Sequence, residues 1–215
     1  MILEKVKENN FPLKAFISAS AVGYYGAVTS NSIFNETSPP SNDFLGETCR
    51  LWEQAADKFN EIGIRTVKIR TGIVLTKDDG ALAKMTNTFK MGIGLSLGNG
   101  NQYLPWIHVE DLCNIYIKAI EDDKMNGAYN AVSPDHKTYN EFSAILSEIF
   151  KTPFGFVNLP TFALKILFGK MSEMLLEGSR VSSEKIREAG FVFLFPELEN
   201  ALYNLIKRHN DNRGK

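Results

Sequence analysis

Hydroxyl, phenol and glycine residues crowd one stretch near the start of the chain, Phe16-Ile17-Ser18-Ala19-Ser20-Ala21-Val22-Gly23-Tyr24-Tyr25-Gly26. A buried strand that ends in hydroxyls and glycines delivers polar groups to the carboxyl edge of a sheet, where ligands sit in open α/β folds. The plainer reading is that Ser18 and Ser20 satisfy backbone groups where a strand ends. The two readings differ in what the rest of the chain must supply. The chemical one needs a sheet edge to carry these side chains and a second element to face them.

The preceding residues Leu13–Ile17 form a short apolar run that reads as a buried strand. Open α/β sheets bind ligands at the carboxyl edge of such strands. Ala27–Phe44 is a polar loop carrying Pro39 and Pro40, and Asp43 caps a helix over Phe44–Ile62. Its buried face is marked by Leu45, Cys49, Trp52, Ala56 and Phe59, and Gly63 ends it. Arg65–Leu75 is rich in β-branched residues and reads as the next strand, interrupted at Thr71-Gly72. Helix followed by strand, repeated, predicts a parallel α/β sheet.

Further on, Ala81–Met91 reads as a helix. The glycine-rich Gly92–Gly100 reads as turns around a short strand, because a phosphate loop needs a strand before it and a helix after it. Gln102–Ile107 is strand-like, and His108 sits just before a helix over Val109–Glu121, where bonding the backbone is its simpler role. A strand over Gly127–Val132 precedes a helix over Tyr139–Phe150, with Thr138 and Glu141 set as a capping box. The tail predicts short helices over Phe162–Phe168, Met171–Leu176, Ser182–Ala189 and Pro196–Ile206.

Composition excludes several function classes. The 24 basic and 25 acidic residues among 215 leave a net charge of −1, with no basic field for nucleic acid or an anionic membrane. Apolar residues are 44% of the chain, enough for a packed core. The cysteines, Cys49 and Cys113, have no metal-ligand spacing, so no metal site is expected and a reducing compartment is. Met1–Phe11 carries both signs of charge and does not read as a signal peptide, and no apolar run approaches a membrane span. The chain reads as soluble and cytoplasmic.

Several short motifs, taken together and in order, resemble the extended short-chain dehydrogenase/reductase superfamily. They are Ser18 to Gly26, Trp52-Glu53, Arg70-Thr71-Gly72-Ile73-Val74-Leu75, Gly80-Ala81-Leu82-Ala83-Lys84-Met85, and Gly98-Asn99-Gly100-Asn101-Gln102. The series continues with Trp106-Ile107-His108-Val109-Glu110-Asp111-Leu112, Leu175-Leu176-Glu177-Gly178 and Ala189-Gly190-Phe191. More narrowly, the chain resembles the NAD-dependent epimerase/dehydratase branch, in the "epimerase family protein" group with its own C-terminal domain.

The resemblance implies an α/β fold: the C-terminal part of a Rossmann-like parallel sheet over residues 1–132, then a small, mostly helical substrate-side domain over 133–215. It implies a preceding half of roughly 80 residues with the glycine-rich pyrophosphate turn. This sequence does not contain that half, so it reads as a truncated member. The implied cofactor is NADP(H), with NAD as the alternative, and the implied partner is a small polar substrate such as a nucleotide sugar. A homo-oligomer is compatible with it. Ser20 falls at the superfamily's active-site hydroxyl, and a phenol close behind it, Tyr24 or Tyr25, could replace the family's missing acid, which makes Ser20 and Tyr24 the expected catalytic residues; Thr71, Gly72, Ile73 and Val74 fall at the segment lying against the cofactor. Tyr25, Gln102, Trp106 and His108 fall at the substrate cleft. One departure stands out: where the superfamily carries Tyr-x-x-x-Lys, alignment on Glu53 puts Leu45 and Cys49. That departure leaves a non-catalytic NADP(H)-binding protein, or a fragment without activity of its own, as competing readings.

Overall fold

The computed structural model describes residues 2–9, 11–77, 80–153, 157–159, 162 and 176–207. Helix α1 (Ile2–Asn9) leads into strand β1 (Ala15–Ala21), which runs four residues further toward the serines than the apolar run predicts. A 3-10 turn, Val22–Tyr25, follows directly. Strand β2 (Ile33–Phe34) interrupts the segment expected to be loop. Helix α2 (Phe44–Asp57) starts where Asp43 accepts a hydrogen bond from the Gly46 amide. It is shorter than predicted. A 3-10 turn, Asn60–Ile62, ends at Gly63, whose φ of 79° needs a residue without a Cβ.

The predicted interrupted strand is two strands, β3 (Arg65–Thr71) and β4 (Ile73–Leu75). Helix α3 (Gly80–Lys90), strand β5 (Leu95–Leu97), strands β6 (Tyr103–Leu104) and β7 (Trp106–His108), and helix α4 (Val109–Glu121) come next. Strand β8 (Gly127–Ala131), strand β9 (Lys137–Thr138) and helix α5 (Tyr139–Phe150) follow, α5 opening with the capping box formed by Thr138 and Glu141. The tail holds β10 (Val157–Leu159), β11 (Arg180–Val181), α6 (Glu184–Glu188) and α7 (Leu198–Lys207). Apart from Phe162 and Leu176, the helices predicted over Phe162–Phe168 and Met171–Leu176 lie outside the described residues.

The central sheet has the order β1-β3-β8, all parallel, as the alternation of helix and strand requires. Beside it, β4 pairs in parallel with β7. Gly72 is the crossing point between the two. Its amide donates to the Ala131 carbonyl at 3.1 Å, while the next amide, Ile73, donates to the Pro105 carbonyl at 2.7 Å. A Cβ at Gly72 would sit 2.3 Å from the Pro105 carbonyl oxygen and 2.9 Å from Val132. Gly72→Ala is therefore expected to cost about 2–3 kcal/mol by forcing backbone apart. Urea denaturation measures this, and an unchanged midpoint would refute the crossing argument.

Two large cores result. One joins the sheet to α4 and α6 through Val67, Ile69, Ile107, Ile115, Met125, Ile186 and Phe191. The other joins Leu75, Leu82, Phe89 and Trp106 to Phe142, Leu146, Leu198 and Leu202, so it packs residues from both sides of position 132. No helix among the described residues is long and apolar enough to cross a membrane.

Candidate active site

The strand register builds the site. Ser20 pairs with Arg70 and Arg70 with Asn130, so three polar residues stand in one row near the carboxyl ends of β1, β3 and β8. One residue on, Ala21, Thr71 and Ala131 form a second, small-sided row. The polar row is buried and cross-linked. Arg70 donates to both carboxylate oxygens of Glu53, Nε to Oε1 at 2.7 Å and Nη2 to Oε2 at 2.8 Å. The Ser20 hydroxyl donates to Glu53 Oε1 at 2.8 Å. Arg70 Nη1 donates to the Tyr25 hydroxyl at 2.9 Å, which donates to Asn130 Oδ1 at 2.7 Å. The Asn130 amide nitrogen donates to the Ser182 carbonyl, and Glu36 accepts from the Asn130 backbone at 2.8 Å.

Two bonds per partner make this a bidentate pair with a chain of satisfied dipoles around it. Burial works against the Arg70 charge, but Glu53 and Tyr25 outweigh it and hold the guanidinium protonated. Burial pushes the Tyr25 phenol up to about 12, against the opposing pull of Arg70. Tyr25 is thus a fixed member of the network and keeps its proton.

The other sequence-predicted residues divide sharply. Ser20 is in the row, with its one proton committed to Glu53. Tyr24 lies under the guanidinium, its ring centre 3.5 Å from the Arg70 carbon, and is only half-buried. Its hydroxyl makes no hydrogen bond among the described residues. Arg50 on α2 is close enough for the two groups to interact electrostatically. Thr71, Gly72, Ile73 and Val74 are half-buried at the strand crossing.

Gln102, Trp106 and His108 do not join this group. Each is 1% exposed. Gln102 donates to the Leu97 carbonyl at 3.3 Å, and the Trp106 indole donates to the Asp135 carbonyl at 3.0 Å. His108 is the N-cap of α4, accepting from the Glu110 amide at Nδ1, and its ring stacks on Phe195 at 3.9 Å. Its neighbour Asp111 accepts from the Leu194 and Phe195 amides at 2.7 and 3.0 Å. This part of the motif latches the C-terminal segment to the sheet.

Burial lowers the His108 pKa from 6.5, with Glu110 and Asp111 opposing. A histidine depressed in the folded state stabilises fully above its unfolded pKa, and that stability is lost as pH falls below about 6.5. His136 is depressed in the same direction, by burial first and by Arg180 second. His108→Asn keeps a capping acceptor without the titration. It is expected to flatten the loss of stability on going from about pH 7 to about pH 5.5, read from urea midpoints. A slope equal to that of the parent chain would overturn the assignment.

Sequence reasoning missed Glu53 as a buried residue. It placed Trp52 on the inner face of α2, where the structure has Trp52 55% exposed and Glu53 5%. Hydrophobicity pointed to the tryptophan. The available signal was position: Glu53 lies four residues after Cys49, on the stripe that continues to Ala56. Cys49 is buried, and burial raises its thiol pKa, which fits a packing role.

The chain is similar to known proteins in sequence and in fold. Residues 1–131 match the NAD dependent epimerase/dehydratase family, and residues 159–205 match a domain of unknown function, DUF1731. The chloroplastic epimerase family protein SDR39U1 homolog of Arabidopsis thaliana is 39% identical over 198 residues, which is 90% of this chain and 56% of the relative. Epimerase family protein SDR39U1 of Mus musculus is 33% identical over 96% of this chain and 70% of its own length. The chain thus spans 56% of the length of the first of these relatives and 70% of the second. Among solved structures, human epimerase family protein SDR39U1 with NADPH superposes with a TM-score of 0.84 at 30% identity, over 93% of this chain and 68% of that one. The UDP-glucose 4-epimerase of Thermotoga maritima with UDP-glucose shares the fold, with a TM-score of 0.79 at 21% identity, over 99% of this chain and 68% of that one.

Proposed function

The chain belongs to the NAD-dependent epimerase/dehydratase family, and from that premise we propose that it is the catalytic part of an NADP(H)-dependent reductase or epimerase acting on a small polar carbonyl or sugar substrate. The observation that carries this reading is Tyr24. It is a half-buried phenol beside the strand tips, with no hydrogen bond to its hydroxyl among the described residues, the Arg70 guanidinium against its ring and Arg50 within electrostatic reach. The cofactor suits the edge because Ala21, Thr71 and Ala131 are all small there. Thr71 to Val74 would hold its nicotinamide end. When bound, the reduced cofactor supplies hydride to a substrate carbon.

The chain's own residues do the remaining work. Tyr24 gives its proton to the substrate oxygen as charge develops there. Arg50 and Arg70 bring positive charge to the side of the phenol, where the superfamily would use lysine. Ser20 and Tyr25 act through Glu53 and Arg70 to hold the guanidinium flat against Tyr24, as positioning residues.

The test is a titration with NADPH, followed by the fluorescence of Trp52 and Trp106, and then a carbonyl panel followed by loss of the reduced nicotinamide absorbance. Saturable binding with turnover is expected. Binding without consumption of cofactor across the panel would favour the second reading, a non-catalytic NADP(H)-binding protein. That reading draws on Leu45 and Cys49 standing in place of Tyr-x-x-x-Lys.

A further inference from the structure

The sequence holds two Asn-Gly pairs, Asn99-Gly100 and Asn126-Gly127. Asparagine is a labile residue, and a following glycine makes it more so. The amide nitrogen after the asparagine can attack the side-chain carboxamide carbon, and a glycine leaves that nitrogen unshielded by any Cβ. The fold decides which pair reacts, because attack needs the nitrogen and the carboxamide held together. Exposure does not distinguish them, since both asparagines face solvent.

At Asn99 the two groups are turned apart. Its Oδ1 accepts from the Asn101 amide at 3.0 Å, and its backbone carbonyl accepts from Asn140 Nδ2 at 3.0 Å. The Gly100 amide points elsewhere and donates to the Leu97 carbonyl at 3.0 Å. Gly100 is buried, and a Cβ there would overlap the Asn140 side chain, so the turn has no room to rearrange.

At Asn126 the groups are brought together. The Gly127 amide donates to Oδ1 of Asn126 itself at 2.9 Å, which lays the nitrogen against the carboxamide it would attack. The backbone is fixed on both sides. Met125 is buried, and its carbonyl accepts from Arg65 Nη1 at 3.0 Å. Gly127 opens β8 in register with Val67, at a φ of 78°. The space where a Cβ would stand is open to 4 Å, so nothing shields the reacting nitrogen. Rigidity protects Asn99 by holding the groups apart. It exposes Asn126 by holding them in contact.

We propose that Asn126 is a site of spontaneous covalent modification, converted through a cyclic succinimide to aspartate and isoaspartate. The Gly127 nitrogen bonds to Asn126 Cγ and gives up its proton. The Cγ–Nδ2 bond breaks, and Nδ2 takes up a proton and leaves as ammonia. One water then opens the ring at either carbonyl, which gives aspartate or isoaspartate. Nothing is oxidised or reduced. Isoaspartate places an extra methylene in the main chain directly ahead of β8, the strand that carries Asn130.

The test incubates the folded chain at mildly alkaline pH and maps its peptides by mass over time. Isoaspartate is counted by labelled methyl transfer from a protein isoaspartate methyltransferase. Asn126 is expected to convert roughly tenfold or more faster than Asn99, the advantage of a held geometry. In urea the two rates should converge, with Asn126 no faster than in the folded chain. Asn126→Gln should abolish the early methyl acceptance. Equal rates in the folded chain, Asn99 leading, faster conversion of Asn126 in urea, or undiminished methyl acceptance in Asn126→Gln would each overturn the proposal.

Discussion

Arg70→Met is expected to lower the stability of the chain by about 3–5 kcal/mol, the loss characteristic of a buried ion pair deprived of one partner. Both members of the pair are almost fully enclosed, Arg70 at 3% exposure and Glu53 at 5%. The next cation, Lys68, stands 3.9 Å from Glu53 and is held more closely by Asp57, at 2.7 Å. The Glu53 carboxylate would be left with one hydrogen bond, from Ser20, and the more distant Lys68 charge, and the Tyr25 hydroxyl would lose one of its two partners. Urea denaturation reads the effect directly. Replacing the whole charged group, Ser20→Ala with Glu53→Leu and Arg70→Met, removes the orphaned groups together. That combination should return to within about 1–2 kcal/mol of the parent, since apolar replacements of buried pairs are often neutral. A single variant that lost less than about 1 kcal/mol would mean water reaches the pair.

Tyr24→Phe is expected to reduce turnover by about 10²–10⁴-fold, the range for loss of a positioned general acid. The affinity for NADPH should be unchanged, because phenylalanine keeps the ring under Arg70 and removes only the hydroxyl. Initial rates on whichever carbonyl substrate the panel yields, measured beside an NADPH titration, provide the comparison. Tyr25→Phe makes the informative contrast. It removes a hydroxyl bonded on both sides, so it should cost stability, and only a few-fold in rate. A Tyr24→Phe variant with parental turnover would exclude the phenol as the proton donor.

Much of the architecture was legible because local chemistry and tertiary demand agreed. The break at Thr71-Gly72 was visible as a glycine in a β-branched run, and the structure uses it to cross between two strand pairs. The capping box at Thr138 and Glu141 was legible for the same reason: both partners lie within one turn. The site was legible only in part. Ser20, Tyr24 and Tyr25 announced themselves through residue type at a strand end. The roles of Glu53 and Arg70 depend on register between strands and on a neighbouring helix, which no local window contains. The same holds for His108 and Asp111, whose partners lie more than eighty residues away, in the segment Leu194–Phe195. Composition could not separate a residue facing a cleft from one latching the tail.

The pairing of Ile33–Phe34 with Arg180–Val181 bears on the order of assembly. Contacts so distant along the chain are the slowest to form, because the intervening segment must be gathered first. During synthesis, Ile33–Phe34 has no strand partner until Arg180–Val181 has left the ribosome, although Glu36 in the same loop can already reach Asn130 on β8. The polar row can close earlier, through Ser20, Glu53, Arg70 and Asn130. The hydrophobic shelter over Tyr24 and Tyr25 waits for Val181. A nascent chain would therefore hold its charges in place before it has covered them, and the strand that carries Val181 would be among the last parts of the molecule to reach its position.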